Sequence, residues 1–119
     1  MKSGHTGIKR IVAAFGYSFD GIRSVWNSES AFRQDIVLVA AGFIALYFLP
    51  VSYSDKILLG FSLPFILLAE LVNTAIETIV DRIGAEYHDL SKKAKDIGSA
   101  IVFITIFAVA ILWIAVLAV

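Results

Sequence analysis

Residues 70–81, ELVNTAIETIVD, place two glutamates, an asparagine and an aspartate inside a long apolar stretch of the chain. On a helix with about 100° per residue, Glu70, Asn73, Glu77 and Asp81 fall within about 80° of arc and therefore form one polar stripe. Carboxylates at membrane depth are costly and usually mark a functional site. Whether the stripe lies in a membrane depends on the sequence around it.

The composition around the stripe is that of a membrane protein. Of the 119 residues, 59% are hydrophobic and 17% are charged, whereas soluble domains average about 45–50% apolar and about 25% charged residues. The chain has no cysteine, which excludes disulfides, thiolate catalysis and Cys-ligated metals. The formal net charge is zero, so charge predicts no nucleic-acid partner. We expect a single, all-α membrane domain.

Four helical segments are predicted along the chain. Residues 8–27 have a helical period with basic residues off the apolar face, which is typical of a helix lying in the membrane interface; an amphipathic helix on a soluble core is the alternative. Membrane-spanning helices are predicted at about 31–51, 57–81 and 96–119, since about 20 residues cross a bilayer. We expect Pro64 to bend the second span, Gly84 to end it and Ser91 to act as an N-cap before the third.

The basic residues predict the orientation of these spans. They lie before or at the start of the first span and between the second and third, at Lys2, Lys9, Arg10, Arg23, Arg33, Arg82, Lys92, Lys93 and Lys95, while the intervening turn has only Lys56. The positive-inside rule then places the N-terminus in the cytoplasm and the C-terminus outside.

Depth along the second span predicts the kind of chemistry. At a rise of about 1.5 Å per residue, Glu70 lies about two-thirds of the way through a hydrocarbon core about 30 Å thick. Most other ionisable groups meet the membrane near its cytoplasmic edge, at Arg10, Tyr17, Glu29, Asp35, Glu77, Asp81, Glu86, His88, Lys95 and Asp96. Ionisable groups at one depth favour chemistry between a cytoplasmic solute and a lipid of the inner leaflet. A pathway for ions or protons would instead need polar groups at successive depths.

The groups at this level predict a divalent cation and a phosphate ligand. Hard oxygen ligands suit Mg²⁺, which binds one or two carboxylates plus phosphate. Lys95 and Asp96 are expected to begin the third span, where exposed N–H groups attract phosphate. No P-loop or G-x-G-x-x-G motif is present.

Other interpretations of the stripe stay open on these grounds. Glu70 or Asn73 alone could join helices by hydrogen bonds, as polar residues do in membranes. A small channel or proton-coupled transporter would need carboxylates in the outer half, and the second span has none between Lys56 and Glu70. A non-catalytic assembly protein would leave the acidic residues at one level unexplained.

Longer motifs carry a resemblance over essentially the whole chain. The stretches GYSFDGIRSVWNSESAFRQD and AELVNTAIETIVDRIGAEYHDLSKKAKDIGSA resemble the prokaryotic integral-membrane diacylglycerol kinases. DRIGAEYH is more similar to the Gram-negative diacylglycerol kinases than to the undecaprenol kinases of Gram-positive bacteria, which remain the alternative. The resemblance implies a homotrimeric helical bundle in the bacterial inner membrane, with the C-terminus in the periplasm. It also implies transfer of the γ-phosphate of MgATP to diacylglycerol, giving phosphatidic acid.

The same resemblance implies roles for individual residues. Glu70 matches the general base, Asn73 a positioning group beside it, and Glu29 and Glu77 the Mg²⁺ ligands. The implied nucleotide contacts are Arg10, Tyr17, Glu29, Glu77, Glu86, His88, Lys95 and Asp96. The implied lipid contacts are Arg10, Ala14, Phe15, Ser18, Phe19, Arg23, Trp26, Ala31, Phe32, Asp35, Lys56, Glu70, Ser99 and Trp113. Two features depart from the family pattern: Pro64 and the apolar ending IAVLAV, which bear on lipid fit and trimer stability rather than on the chemistry.

Overall fold

The chain is helical from residue 7 to residue 117, apart from short connections. The computed structural model describes residues 6–119, in which α1 (Gly7–Ser28), α2 (Ser30–Phe48), α3 (Tyr53–Ser62), α4 (Pro64–Ile83) and α5 (Asp89–Leu117) follow one another without any strand. Three segments are long and apolar enough to cross a membrane: Ser30–Phe48, Tyr53–Ile83 and Asp89–Leu117. The prediction of an all-α chain with three candidate spans is therefore confirmed. Lys2, which was counted for orientation, lies outside the described residues.

A single extended residue makes the corner between α1 and α2. Glu29 has φ −120° and ψ 109°. The last carbonyls of a helix have no partner within it, and here the Arg33 guanidinium donates to the carbonyl oxygens of Trp26 and Asn27. The corner brings the half-buried Glu29 side chain to the start of the first span.

The second span is interrupted where the sequence predicts a bend. Pro64 has no N–H to donate to the carbonyl four residues earlier. The Leu63 N–H donates to Gly60 O at 3.4 Å instead, and the Ser62 hydroxyl donates to Leu59 O at 2.6 Å. The span is consequently two helices, α3 and α4, joined at Leu63.

The helix that contains the third span begins earlier than predicted. His88 is the N-cap of α5, because its Nδ1 accepts from the Leu90 N–H at 3.0 Å. The assignment of Ser91 as the N-cap is wrong, and so is the expectation that Lys95 and Asp96 begin this helix. A histidine ring can replace a hydroxyl cap, and the leucine, lysines and alanine that follow are good helix formers. The N–H groups without a helical partner therefore lie in the first turn, at residues 89–91, where His88 already caps that of Leu90, and not at 95 and 96.

Two ends of the bundle can be distinguished: the turn end, at residues 49–52, and the loop end, at residues 84–88. The apolar core lies toward the turn end, where Val39, Leu46, Leu59, Leu63 and Ile66 pack against Val109, Leu112, Trp113 and Val116 of α5. α4 packs along α5 and also contacts α2. This arrangement leaves the loop-end half of α2, α4 and α5 for the polar stripe.

α1 lies apart from this core. None of its residues is buried, and it contacts α2 and α4 but not α5 within residues 6–119. Its apolar side chains, such as Ile8 and Phe15, are 79% and 74% exposed. The amphipathic character predicted for this segment is thus observed as an uncovered apolar face.

Candidate active site at the loop end

The polar stripe of α4 faces the other spans rather than the outside. Glu70, Asn73 and Glu77 are half-buried, and Asp81 is exposed nearer the loop end. Asn73 Nδ2 donates to Glu77 Oε1 at 2.9 Å. The i, i+4 spacing therefore produces a defined contact that holds one oxygen of the Glu77 carboxylate.

Carboxylates from α2 and from the α1–α2 corner meet the stripe. Asp35, Glu77 and Glu29 all lie near enough to the Glu70 carboxyl to act on it electrostatically. Asp35 Oδ2 is buried and has no hydrogen-bond partner among the described residues. Such a concentration of acidic oxygens in a half-buried place favours binding of a cation or of a proton-donating group.

The acidic residues fit a metal ion that arrives with its own oxygen ligands. Within residues 6–119 no three His, Asp or Glu side chains are arranged as a ready ligand set. Mg²⁺ usually takes one or two carboxylates and completes its shell with water and substrate phosphates. One oxygen of the Glu77 carboxylate accepts a hydrogen bond from Asn73, and the other oxygen is not part of that bond. Glu77 therefore suits the binding of such an ion.

Two ion pairs lie on the α5 side of the site. Lys95 Nζ donates to Asp81 Oδ1 at 2.8 Å, and Lys92 Nζ donates to Asp96 Oδ2 at 2.6 Å. Exposed pairs of this kind contribute little to stability. Lys95 and Asp96, both expected to contact nucleotide, can therefore exchange these partners for a ligand at low cost.

The loop between α4 and α5 forms a small concave surface. A pocket of about 250 Å³ is lined by Gly84, Glu86, His88 and Ser91, among others. It contains two of the residues expected to contact nucleotide. Beside it, the Tyr87 hydroxyl donates to Asp89 Oδ1 at 2.8 Å, and this hydrogen bond raises the pKa of Tyr87.

A larger groove separates α1 from α4. Its volume is about 600 Å³, and Ser18, Val25, Leu71 and Thr74 are among its lining residues. Of the residues expected to contact lipid, Ser18 lines this groove. Several others lie on the exposed surface of α1 or at the start of α2: Arg10, Ala14, Phe15, Phe19, Arg23, Trp26 and Ala31.

One chain does not bring all the expected site residues together. Lys56 is at the turn end, where its amine donates to Tyr47 O at 3.4 Å. Trp113 donates from Nε1 to Ser62 Oγ at 3.1 Å, also in the turn half. Phe32, which was expected to contact lipid, is buried within the chain and only 2% exposed. Arg10 and Tyr17 are on α1, which does not touch the α5 that carries Lys95, Asp96 and Ser99 within residues 6–119.

The structure also adds residues to which the sequence assigned no role. Asp81 belongs to the stripe, and only the fold shows that it holds Lys95. Gly98 lies in the AKDIGS motif, and only the fold shows that it faces Asn73. Both positions lie inside recognisable motifs, but no periodicity predicts a contact between two helices.

Fold and site together define a class: a three-span helical membrane protein with an acidic site at one end of the bundle and no phosphate-binding loop. Comparison with known proteins is more specific. The model of the prokaryotic diacylglycerol kinase family matches residues 16–117. The chain therefore belongs to the prokaryotic diacylglycerol kinase family.

Named relatives agree with this assignment. The chain is 44% identical over 113 residues to a diacylglycerol kinase of Escherichia coli strain K12, covering 95% of this chain and 93% of the relative. It is 40% identical over 114 residues to one of Pseudomonas aeruginosa, with coverages of 96% and 93%. A diacylglycerol kinase of Haemophilus influenzae is 40% identical over 108 residues, with coverages of 91% and 92%.

Proposed function

We propose that this protein is an ATP-dependent diacylglycerol kinase, which transfers the γ-phosphate of MgATP to the free hydroxyl of diacylglycerol and releases phosphatidic acid and ADP. Membership of the family supports the reaction. The structural observation that carries it is the half-buried run of Glu70, Asn73 and Glu77, met by Asp35 and Glu29 at the loop end.

Glu70 is the proposed general base. It takes the proton of the lipid hydroxyl as that oxygen bonds to the γ-phosphorus and the bond to the β,γ-bridging oxygen breaks. Glu77 lies two turns from Glu70, about 10 Å along the helix axis toward the loop end. A diacylglycerol hydroxyl can thus reach Glu70 while its acyl chains stay among lipid, and a hydrated nucleotide can reach Glu77.

Glu29 and Glu77 are the proposed Mg²⁺ ligands, and Asn73 keeps the Glu77 carboxylate in place. Bound Mg²⁺ would neutralise charge on the β- and γ-phosphates, which phosphoryl transfer requires together with positioning. Lys95 adds positive charge when it leaves Asp81 for the nucleotide. Arg10, Tyr17, Glu86, His88 and Asp96 complete the proposed nucleotide contacts.

The proposed location is the bacterial inner membrane, with the N-terminus and the loop end cytoplasmic and the C-terminus periplasmic. The distribution of lysine and arginine supports this orientation. The uncovered apolar face of α1 supports a helix lying at the cytoplasmic surface of the bilayer. The acidic site would then face the compartment that holds ATP.

Purified protein in mixed micelles with γ-labelled ATP and Mg²⁺, given a panel of lipid alcohols, tests the reaction. We expect label in phosphatidic acid, dependent on Mg²⁺ and lost in Glu70→Gln. Label in undecaprenyl phosphate, with none in phosphatidic acid, would identify undecaprenol as the acceptor instead. Absence of transfer to any lipid alcohol by folded protein would refute the kinase function.

A further inference from the structure

α5 packs against α4 and comes into close contact with it at Gly98, beside the proposed metal ligand. Gly98 is the one buried residue of α5. A Cβ atom at this position would lie 2.3 Å from Asn73 Oδ1 and 3.3 Å from Asn73 Cγ. Real Cβ atoms essentially never come within 3.0 Å of a non-bonded heavy atom of a residue that is not their neighbour in the chain. Only glycine therefore leaves the Asn73 side chain where it is.

The Asn73 amide is held between Gly98 and Glu77. Nδ2 donates to Glu77 Oε1 at 2.9 Å, while Oδ1 is buried and has no hydrogen-bond partner among the described residues. Turning the amide over would put its oxygen against the carboxylate oxygen, which is repulsive. Charge therefore sets the direction of the amide, and the space above Gly98 sets its position.

We propose that Gly98 is a positioning residue for the metal–nucleotide site: by lacking a side chain, it lets Asn73 hold the Glu77 carboxylate ready for the divalent cation. The proposal rests on the proposed function, which identifies that cation as the Mg²⁺ of MgATP. Gly98 itself touches neither substrate nor metal. It acts through Asn73 and Glu77.

The contact geometry distinguishes this role from a simple packing role. The atoms that a Cβ would meet most closely belong to the Asn73 side chain, and the next contact, Ile76 Cδ1 at 3.6 Å, is an ordinary one. In Gly98→Ala the Asn73 amide can move aside without separating the helices. The expected result is a folded protein in which the Asn73–Glu77 hydrogen bond is lost.

Binding of Mn²⁺ with ADP, measured by electron paramagnetic resonance without lipid substrate, reports on Glu77 independently of turnover. We expect Gly98→Ala to weaken Mn²⁺ binding about 10–100-fold, as loss of a group that orients a metal ligand commonly does. Gly60→Ala is the matched control, because its Cβ would meet only Phe43 and Leu46, at 3.4 and 3.5 Å. It should bind Mn²⁺ as the wild type does.

A double variant tests whether Gly98 acts through Asn73. Asn73→Ala should weaken Mn²⁺ binding as much as Gly98→Ala, and the two changes together should cost no more than either alone. Asn73→Ala also makes room for a Cβ at position 98, so this comparison stands even where Gly98→Ala lowers the yield of folded protein. Wild-type Mn²⁺ affinity in Gly98→Ala, or additive losses in the double variant, would overturn the proposal.

The same samples separate this proposal from the proposed function. If wild-type protein and Gly60→Ala bind Mn²⁺–ADP but phosphorylate no diacylglycerol, the kinase assignment fails. The Mn²⁺ affinities of the four variants then still decide the role of Gly98.

Discussion

At the scale of single residues, two glutamates on one stripe have different surroundings. Glu70 lies near enough to Asp35 of α2 for the two carboxyls to act on each other electrostatically, whereas Glu77 accepts a hydrogen bond from Asn73 and lies nearer the loop end. Identical side chains two turns apart therefore suit the different tasks proposed for them, Glu70 as the base for the lipid hydroxyl and Glu77 as a ligand of the metal–nucleotide complex.

Glutamine replacements should separate these tasks. Glu70→Gln keeps the shape but cannot accept the proton, so turnover should fall about 10²–10⁴-fold, the usual cost of losing a general base, while MgATP still binds. Glu77→Gln removes a charged ligand, so the apparent affinities for Mg²⁺ and ATP should fall together with turnover. Initial rates and nucleotide binding across a Mg²⁺ series check both. Loss of MgATP binding in Glu70→Gln, with unchanged metal dependence in Glu77→Gln, would contradict the assignment.

At the scale of helices, a side chain from another span takes part in the hydrogen bonds that form where Pro64 interrupts the second span. The Ser62 hydroxyl donates to Leu59 O, the carbonyl that a regular helix would pair with Leu63 N–H, and accepts from Trp113 Nε1. Ser62 is 7% exposed, so these groups have little access to other partners. Trp113, expected to contact lipid, here ties α5 to the α3–α4 junction.

Ser62→Ala should destabilise the protein by about 1–2 kcal/mol, because it leaves a buried carbonyl and an indole N–H without partners. The loss should appear as a lower midpoint in denaturing-detergent titrations. Thr105→Val is the matched control, since the Thr105 hydroxyl donates only to Ile101 O within its own helix, and it should be close to neutral. Equal midpoints for Ser62→Ala and wild type would show that the two hydrogen bonds of Ser62 contribute no stability.

At the scale of the whole molecule, one chain is too open to enclose a site. Its radius of gyration is 17.6 Å, whereas a compact domain of this length has about 13.5 Å. Large apolar side chains such as Phe103 and Phe107 are more than half exposed, and the expected nucleotide contacts are divided between α1 and α5, which do not touch within residues 6–119. The division of these contacts supports an assembly of subunits, and we propose that it is the homotrimer implied by the resemblance, with α1 of one subunit lying against α5 of another.

Mixed trimers test this arrangement. Arg10→Gln on α1 and Lys95→Gln on α5 should each lower activity, and equal mixing should restore about a quarter of the sites if the two residues come from different subunits of a cyclic trimer. Diacylglycerol phosphorylation before and after subunit exchange measures the recovery.

The matched control pair is Glu70→Gln with Glu77→Gln, which share one helix and should show no recovery. Recovery in the control pair would mean that these two glutamates serve different sites. Failure of the Arg10 and Lys95 pair to recover in fully exchanged trimers would place both residues in one subunit's site.

Some of these features follow from the sequence by itself. Hydropathy and helical period depend on residues close together in the chain, so the three apolar segments, the amphipathic first helix, the interruption at Pro64 and the stripe of Glu70, Asn73 and Glu77 are all predictable. The motifs around that stripe identify the family in the same way. The span boundaries are less predictable, since α5 begins at Asp89 because a histidine ring, rather than a serine hydroxyl, caps it.

The tertiary structure alone decided which helix faces meet. Asn73 against Gly98, Ser62 against Trp113 and Asp81 against Lys95 join residues that lie 14 or more positions apart. Such contacts depend on the rotation and axial register of one helix against another, which hydrophobic packing sets over the whole interface. No local pattern encodes that rotation, and so the residues that hold the site in place become visible only when the helices are packed together.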